Sequence, residues 1–316
     1  MKKILTLVLA SAAVMAIAAA PDAAPSECEG VKFASGAPAK GYSLLVADLI
    51  KVCGSTVQIC EVNTGGGLDN LNSLSVKEAD VGIAQLDTIT TMKTGDENVS
   101  ALQAVASLNF NYLHVVVAAN GFAVAGEKKF AGLMKGDSKT YVMQRFSDLK
   151  GQRVALVGSA QLLGQQLNRS LGYNMQTVDV DTDAKAFEMV KRGEVAAAFS
   201  VSGWPSGSIK NLKQDSGLSL VPYDAPSSAP YVVRPLNYKG LGVYNNNSLA
   251  VPNIILSRPF KGDKAQAVAS LKACITKNLQ NLQEGSYQPA WNEIKSLDNT
   301  YDLPKFAGAA APAKKK

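Results

Sequence analysis

The same strand–loop–helix unit occurs twice along this chain of 316 residues, and this repetition constrains the fold more than any other feature. In the first copy, residues 31–34 predict a short apolar strand and residues 35–41 a loop of small residues. Across residues 42–53, apolar side chains recur at intervals of three and four, which is typical of one face of an amphipathic helix. Gly54 is placed to end that helix. A second strand at residues 57–62 and a glycine-rich loop follow.

The second half of the chain repeats this order. Residues 153–157 predict a strand and residues 158–161 a loop, and the leucines that follow at intervals of four predict a helix. A further strand at residues 194–199 ends at Ser200. Short apolar strands that alternate with amphipathic helices indicate parallel sheets covered on both faces. Two copies therefore predict an α/β protein with two lobes, each a parallel-rich sheet covered by helices.

Two apolar segments are expected to connect the lobes. Residues 114–119 are rich in β-branched side chains and lead into the second half, and residues 250–257 lead out of it. The stretch 265–282 has the helical period needed to pack back onto the first lobe. Two crossing strands would make a hinge. The predicted divisions are lobe one at residues 27–117 and 250–303, lobe two at residues 118–249 and a flexible tail at residues 304–316.

The N-terminus has the pattern of an export signal. Lys2 and Lys3 precede an apolar stretch that ends near Ala20 in small residues. A charged start, an apolar middle and small residues before a cleavage site define a secretory signal peptide. The stretch is rich in alanine and shorter than the ~20 strongly apolar residues of a membrane span. We therefore predict that residues 1–20 are removed and that the mature protein is periplasmic.

The charge balance gives no support for nucleic-acid binding. The formal net charge is +6, with 32 basic and 26 acidic residues. Setting aside Lys2 and Lys3 of the signal and the three C-terminal lysines leaves 27 basic against 26 acidic residues. A folded body that is nearly neutral is not expected to bind a polyanion. We predict a monomer whose main partner is a small molecule.

The sequence offers little to an enzyme. It contains one histidine, His114, so any Ser-His-Asp or Cys-His arrangement would depend on that residue. It contains no G-x-S-x-G elbow, no P-loop and no G-x-G-x-x-G fingerprint. The cysteine spacing fits no zinc motif. We therefore predict a protein that is not an enzyme and has no cofactor or metal site.

Four cysteines in an exported chain permit two disulfide bonds with three possible pairings. In the expected register, Cys28 and Cys53 lie at the same edge of the first sheet. Cys60 lies about 10 Å of strand rise from that edge, whereas bridged Cα atoms lie within ~7 Å. The sequence therefore predicts a Cys28–Cys53 bond and leaves the partners of Cys60 and Cys274 open.

Three segments of the first half resemble the TAXI family of substrate-binding proteins from TRAP transporters. They are Ser35–Tyr42, with its small-residue loop before a tyrosine, Thr64–Leu71, with three glycines, and Glu78–Gln85. In the second half, Leu149–Val154, Arg192–Phe199 and Leu249–Asn253 also fit the family. The similarity spans roughly residues 29 to 290, and the order and spacing of these segments support it.

The resemblance implies a type II periplasmic-binding-protein fold. It also implies delivery of a carboxylate or an amino acid, glutamate-like for some members, to a TRAP permease. The chain departs from the family pattern at Pro38, Lys40 and Ser43, and it carries an additional segment at Gly126–Gln144. The three single departures lie beside the expected ligand, so they affect ligand identity more than fold.

In open α/β sheets, ligands bind outside the carboxyl ends of the strands, where helix N-termini present N–H groups and partial positive charge. Four strand-end loops are candidates, although each could also be a simple tight turn. The predicted ligand-binding residues are Ser35, Gly36, Lys40, Gly41, Tyr42, Thr64, Gly65, Gly66, Gln85, Asp87, Ser159, Gln161, Ser200 and Ser202.

Several of these side chains have a second interpretation. Lys40 would pair with a ligand carboxylate or remain solvated, and Tyr42 would contact ligand or pack in the core. Asp87 would hold a ligand ammonium or cap a helix before Thr88. Trp204 would form a wall of the cleft or fill the core. His114 is expected to be structural.

The sequence thus predicts an exported solute-binding receptor that closes its two lobes on a small acidic metabolite or amino acid. It would deliver that ligand to a TRAP-type membrane transporter. The alternatives are a binding protein of an ABC-type transporter for another small ligand, and an exported enzyme on the same fold.

Overall fold

The computed structural model describes residues 29–129 and 134–308. The predicted signal peptide, Cys28 and the last eight residues of the predicted tail lie outside the described residues. Within these ranges, the strands that form the structure are β1 Val31–Gly36, β2 Ile59–Asn63, β3 Val81–Gln85, β4 Gln103–Ala118, β5 Phe122–Lys129, β6 Met134–Tyr141, β7 Arg153–Val157, β8 Gln176–Val180, β9 Ala197–Gly203, β10 Leu218–Leu220, β11 Val232–Tyr238 and β12 Val243–Ser257.

The helices are α1 Gly41–Cys53, α2 Gly67–Ser75, α3 Leu86–Met92, α4 Glu97–Ser100, α5 Ala160–Leu171, α6 Asp183–Lys191 and α7 Gly262–Glu284. Short 3-10 turns occur at Phe146–Leu149, Gln214–Ser216, Lys239–Leu241 and Pro289–Glu293. Of the described helices, none combines the length and the hydropathy that a bilayer span needs.

One mixed sheet of ten strands runs through the molecule, with the main order β2-β1-β3-β12-β4-β9-β7-β8. Strand β1 pairs in parallel with β2 and β3, and β7 pairs in parallel with β8 and β9. These two parallel sets lie in the two lobes, and β12 and β4 join them into one sheet rather than two separate ones. The predicted two-lobed α/β fold, with parallel strands in each lobe, is confirmed.

Two long strands connect the lobes. The first half of β4 pairs with β12, and residues 111–117 of β4 pair with β9 of the second lobe. The second half of β12 pairs with both β3 and β4. Both strands run without interruption from one lobe into the other, so neither contains a break that would mark where one lobe ends. The domain boundaries at residues 117 and 249 therefore stay predictions.

Apolar packing covers both faces of each parallel set. In lobe one, Leu45 and Leu49 of α1 pack with Val268 and Leu271 of α7 on one face. The other face is covered by α2 and α3. In lobe two, α5 and α6 cover opposite faces. Burial of one stripe of each amphipathic helix is what fixes these helices on the sheet.

Strands β5 and β6 form a separate two-stranded antiparallel sheet. They overlap the segment Gly126–Gln144 that departs from the family pattern. The described part of this segment therefore belongs to an antiparallel pair of strands that is separate from the main sheet.

The disulfide prediction is wrong. Cys53, at the end of α1, is bonded to Cys274 of α7, with the Cα atoms 5.9 Å apart. The predicted Cys28–Cys53 bond assumed that Cys53 faces the edge of the sheet, but α1 packs beside α7 and directs Cys53 toward it. Cys60 is also disulfide-bonded.

Removing the Cys53–Cys274 crosslink should lower the free energy of unfolding by roughly 2–4 kcal/mol. The bond joins residues separated by 221 positions, so it restricts the unfolded chain over most of its length. A double substitution of both cysteines by valine keeps most of the packing volume and isolates the loss of the bond. Urea denaturation measures the change, and an unchanged midpoint would contradict this account.

Candidate ligand-binding site

The strand ends of both lobes meet at the middle of the two crossing strands. Gln85, the last residue of β3, pairs with Asn253 of β12. Gly203, the last residue of β9, pairs with Asn111 of β4. Asn111 in turn pairs with Val251 of β12. The carboxyl ends of strands from the two lobes therefore face each other across this point, and we call the space between them the cleft.

Two glycine-containing loops approach each other on the lobe-one side of the cleft. A β-carbon placed on Gly36 would lie 3.5 Å from the Gly66 Cα and 3.7 Å from Cδ2 of Tyr42. One on Gly67 would lie 3.7 Å from both Cε2 of Tyr42 and the Gln85 nitrogen. The loops after β1 and β2 thus meet around Tyr42 at ordinary van der Waals distances, and at Gly36 it is the φ of +86° that favours glycine.

Gly66 differs from these neighbours. Its φ of +144° and ψ of −160° belong to a region that is essentially restricted to glycine. A β-carbon there would have no other atom within 4 Å, so this position opens toward free space. The backbone of the loop, rather than a side chain, is what this position presents.

The loop after β2 is held by its own hydrogen bonds. The Thr64 hydroxyl bonds the Asn70 side chain and accepts from the Gly66 N–H at 3.2 Å, and the Gly65 N–H donates to Asp69 at 3.0 Å. The Asn70 amide donates to the carbonyl of a β3 residue. Thr64 and Gly65 therefore shape the loop, and their predicted contact with ligand stays a prediction. The loop opens α2, whose first-turn N–H groups lie at the positive end of that helix.

Tyr42 joins lobe one to the crossing strands. Its hydroxyl donates to Oδ1 of Asn253 at 2.7 Å and accepts from Nδ2 of Asn111 at 3.1 Å. Asn253 donates from Nδ2 to Oδ1 of Asn111 at 3.0 Å and to Oδ1 of Asn109 at 3.2 Å. Burial raises the pKa of Tyr42 above its usual range, so it stays a neutral hydroxyl.

The three asparagines were not predicted as site residues. Asn109 and Asn111 interrupt an otherwise apolar strand at alternate positions, so both amides emerge on one face of β4. Alternating buried amides in an apolar strand are costly unless they are hydrogen-bonded, and this is the signal that could have identified them. Gly203 of lobe two lies beside them, since a β-carbon there would be 3.3 Å from Nδ2 of Asn109.

Hydrogen bonds cross from lobe one to lobe two at α3. Oδ2 of Asp87 lies 3.0 Å from the Tyr231 hydroxyl, which lies 2.6 Å from Oε1 of Gln166 on α5. Nε2 of Gln166 donates to Oγ1 of Thr91 on α3 at 3.0 Å. Asp87 and Thr91 belong to lobe one, whereas Tyr231 and Gln166 belong to lobe two. The two lobes are therefore in contact across the cleft.

Asp87 does not cap α3 as one interpretation expected. It lies in the first turn of α3, and the cap position belongs to Gln85, whose side chain makes no capping bond. Oδ1 of Asp87 accepts the N–H of the adjacent Thr88 at 2.7 Å. Burial raises the pKa of Asp87, while the hydrogen bond from the Thr88 N–H acts in the opposite direction.

The other predicted residues of lobe one lie at the edge of this arrangement. Ser35 is buried at the end of β1, and its hydroxyl donates to Glu61 at 2.6 Å. Lys40 and Gly41 are exposed at the start of α1, with Lys40 in the N-cap position but making no capping bond. The structure therefore brings Gly36, Tyr42, Gly66, Gln85 and Asp87 closest together.

The predicted residues of lobe two divide between two places. Ser159 and Gln161 stand at the start of α5, the helix that reaches Thr91 through Gln166. Ser200 and Ser202 pair with His114 and Tyr112 of β4. The side chains of directly paired residues lie on the same face of the sheet, whereas successive side chains of one strand lie on opposite faces. The side chains of Tyr112 and His114 therefore lie on the face opposite to that of Asn111. Ser200 and Ser202 therefore lie on the reverse face from the asparagines.

His114 and Trp204 are part of the packing of lobe two. His114 is buried, and its Nε2 lies 2.7 Å from the Tyr238 hydroxyl. Burial lowers the pKa of His114 to about 4, so the ring is neutral near neutral pH. Trp204 packs against the apolar core of lobe two and donates from Nε1 to the Asn237 carbonyl at 3.2 Å.

Comparison with solved structures finds proteins with a similar course of the chain. An ancestral arginine-binding protein bound to arginine is 14% identical, with 83% of this chain and 96% of that chain covered and a TM-score of 0.47. An arginine transport-system periplasmic binding protein from Legionella pneumophila is 12% identical, with 84% and 98% covered and a TM-score of 0.44. A putative sulfonate-binding protein of an ABC transporter from Methylobacillus flagellatus KT is 16% identical, with 80% and 69% covered and a TM-score of 0.46. The ligands named are those of the compared proteins.

Comparison with family models gives a match over residues 42–238 to the NMT1-like family. The matched range begins at Tyr42 of the cleft, includes the asparagines of β4 and continues through Gln166 and Tyr231 of lobe two. It covers more than half of the chain, and the protein therefore belongs to the NMT1-like family.

Proposed function

We propose that this protein is an exported receptor that captures a small acidic metabolite or amino acid in the cleft and delivers it to a membrane transporter. The observation that carries this proposal is the pair of interlobe contacts, Asp87 with Tyr231 and Thr91 with Gln166. They lie beside a loop whose backbone is open to approach at Gly66. A hinge of two strands lets such contacts form when the lobes close and break when they open.

The chemistry of the cleft suits a ligand with a carboxylate and other polar groups. Main-chain N–H groups at the start of α2 favour an anion. Asn109, Asn111 and Asn253 supply amide groups that both donate and accept hydrogen bonds. A ligand bound between these groups would touch the loop of lobe one and the strands of the hinge at once. Such a ligand favours the closed form because only that form offers it every contact.

A thermal-shift screen of carboxylates, amino acids, sugars and metal ions tests this proposal. A ligand that binds only the folded state raises the melting temperature, so an acidic metabolite or amino acid should do so. Native mass spectrometry of protein purified from its own periplasm should then show one such molecule for each chain. Stabilisation by neutral sugars or metal ions alone would contradict the proposed ligand class, and recovery of a chemically altered ligand would assign a catalytic function instead.

The receiving transporter is the second part of the proposal. The TAXI resemblance implies a TRAP permease, whereas an ABC-type transporter is the alternative. Uptake of the identified ligand by spheroplasts supplied with the loaded protein separates the two. Uptake that requires ATP hydrolysis would assign an ABC-type transporter. Uptake that continues without ATP hydrolysis and stops when ion gradients are collapsed would assign a TRAP permease.

A further inference from the structure

The Tyr231 hydroxyl has one hydrogen but two close neighbours that ordinarily accept. These are Oδ2 of Asp87 at 3.0 Å and Oε1 of Gln166 at 2.6 Å. A tyrosine hydroxyl donates a single hydrogen bond. If Asp87 were ionised, one of these two short contacts would place oxygen against oxygen without a hydrogen between them. A neutral carboxylic acid at Asp87 supplies the missing hydrogen.

The two oxygens of Asp87 have different surroundings, as the two oxygens of a carboxylic acid require. Oδ1 accepts the Thr88 N–H at 2.7 Å and lies 3.3 Å from the Thr88 hydroxyl, so only donors face it. Oδ2 faces Tyr231. This arrangement matches a carbonyl oxygen at Oδ1 and a hydroxyl at Oδ2.

The remaining bonds favour one direction of donation. Nε2 of Gln166 donates to Oγ1 of Thr91 at 3.0 Å. The Thr91 hydroxyl donates in turn to the main-chain carbonyl of Asp87 at 2.9 Å. Reversing the Gln166 amide would let Tyr231 donate to an ionised Asp87. The Thr91 hydroxyl would then have one hydrogen for two acceptors, because Oε1 of Gln166 would replace Nε2. With Asp87 neutral, every bond in the chain has its hydrogen.

The surroundings of Asp87 favour the neutral form. Its exposed fraction is 3%, and among the described residues it forms no ion pair. The titratable groups that interact with it are Tyr42 of α1 and Tyr231 of lobe two, both neutral hydroxyls. Burial disfavours an unpaired carboxylate and raises the pKa of Asp87.

We propose that closing the cleft protonates Asp87, and that the neutral acid then donates its hydrogen to Tyr231 and holds the lobes together. Tyr231 is a positioning residue that contacts lobe one only in the closed form. Closure takes up one proton, so between the pKa of Asp87 in the open form and its higher pKa in the closed form the ratio of closed to open protein falls as pH rises, by up to tenfold for each pH unit. The neutral acid also leaves no buried negative charge to repel an anionic ligand. This inference concerns the closure of the protein without ligand and goes beyond the proposed function.

Small-angle scattering of the ligand-free protein from about pH 5 to about pH 9 tests the proposal. The wild type should be compact at low pH and expand as the pH rises. Asp87→Asn should stay compact throughout, because an asparagine accepts the Thr88 N–H and donates to Tyr231 as the neutral acid does. Tyr231→Phe should be expanded throughout. His114, with a pKa of about 4, stays neutral over nearly all of this range.

Two control variants make the outcome specific. Glu293 is a second carboxyl group with a raised pKa, caused by burial, and it accepts the Phe110 N–H of β4 at 3.2 Å. Glu293→Gln should keep the pH response. Tyr244→Phe removes the hydroxyl of a tyrosine that is 61% exposed and should also keep it. Circular dichroism of every variant at each pH confirms that a change in dimensions is not unfolding.

Three results would overturn the proposal. They are wild-type dimensions that do not change with pH, an Asp87→Asn variant that expands like Tyr231→Phe, and a pH response that disappears in Glu293→Gln. Infrared spectra give a direct second readout, because compact wild-type protein should show a carboxylic-acid C=O band that Asp87→Asn lacks. None of these measurements uses a ligand, so a failed ligand screen and a failed closure test are distinguishable.

Discussion

Replacing Gly66 with valine should weaken binding of the ligand found in the screen by at least about 100-fold, a loss of roughly 3 kcal/mol of binding free energy. The backbone at Gly66 has φ +144° and ψ −160°, which a β-branched residue does not adopt without strain. A β-carbon there meets no other atom within 4 Å, so the valine side chain would extend into the open cleft. The substitution therefore blocks the approach of a ligand to the loop backbone and also distorts that loop.

Calorimetric titration measures this loss, and thermal denaturation shows whether the fold survives. Strain at a single residue of this kind costs of the order of 1–3 kcal/mol, so the variant should remain folded with a lower melting temperature. Gly95→Ala is the matched control, because its β-carbon also meets open space and its φ is ordinary. Normal binding by Gly66→Val would show that this loop does not contact ligand.

The elements that the sequence predicted best are those whose pattern is local. The apolar stripe over residues 42–53 corresponds to α1, in which Leu45, Val46, Leu49 and Cys53 are buried. Of the small-residue loop predicted at residues 35–41, residues 37–40 lie between β1 and α1. Periodicity and glycine placement are properties of neighbouring residues, so a single sequence reveals them.

The crossing strand β4 was predicted too short because polar residues interrupt its apolar pattern. The expected segment began at His114, whereas β4 begins at Gln103. Asn109 and Asn111 break the apolar pattern, and their amides are satisfied by Asn253 and Tyr42 from distant parts of the chain. Where buried amides are satisfied by distant residues, the apolar pattern that identifies a strand is lost.

Contacts between residues distant in sequence could not be predicted. Cys53 and Cys274 are 221 positions apart, and Asp87 and Tyr231 are 144 apart. Each pair depends on how α1 packs beside α7 or on how the lobes approach one another. The face on which Ser200 and Ser202 lie depends likewise on a distant contact, because the register of β9 against β4 places them on the face opposite to the asparagines.

Asp80 anchors lobe one at the end of the sheet away from the cleft, and its loss should destabilise the protein strongly. It lies just before β3, with an exposed fraction of 4%. Its carboxylate accepts from Nζ of Lys264 at 2.7 Å, from Nη2 of Arg258 at 3.0 Å and from the Lys32 N–H at 3.1 Å. Burial alone would raise the pKa of Asp80, but these three donors hold it below its ordinary value.

Asp80→Asn should therefore lower the free energy of unfolding by roughly 3–5 kcal/mol, because it leaves two cations without their shared carboxylate. Asp298→Asn is the matched control. Asp298 lies 3.4 Å from Lys272 and 3.8 Å from Lys305 but is 66% exposed, so its loss should cost less than about 1 kcal/mol.

Since the pKa of Asp80 is lowered by folding, its contribution to the free energy of unfolding is present above the unfolded pKa of about 3.9 and is lost as the pH falls through the folded pKa. Urea denaturation at neutral and acidic pH should show the gap between wild type and Asp80→Asn narrowing below about pH 4. A gap that stays constant across this range would mean that the ion pairs of Asp80 do not stabilise the fold.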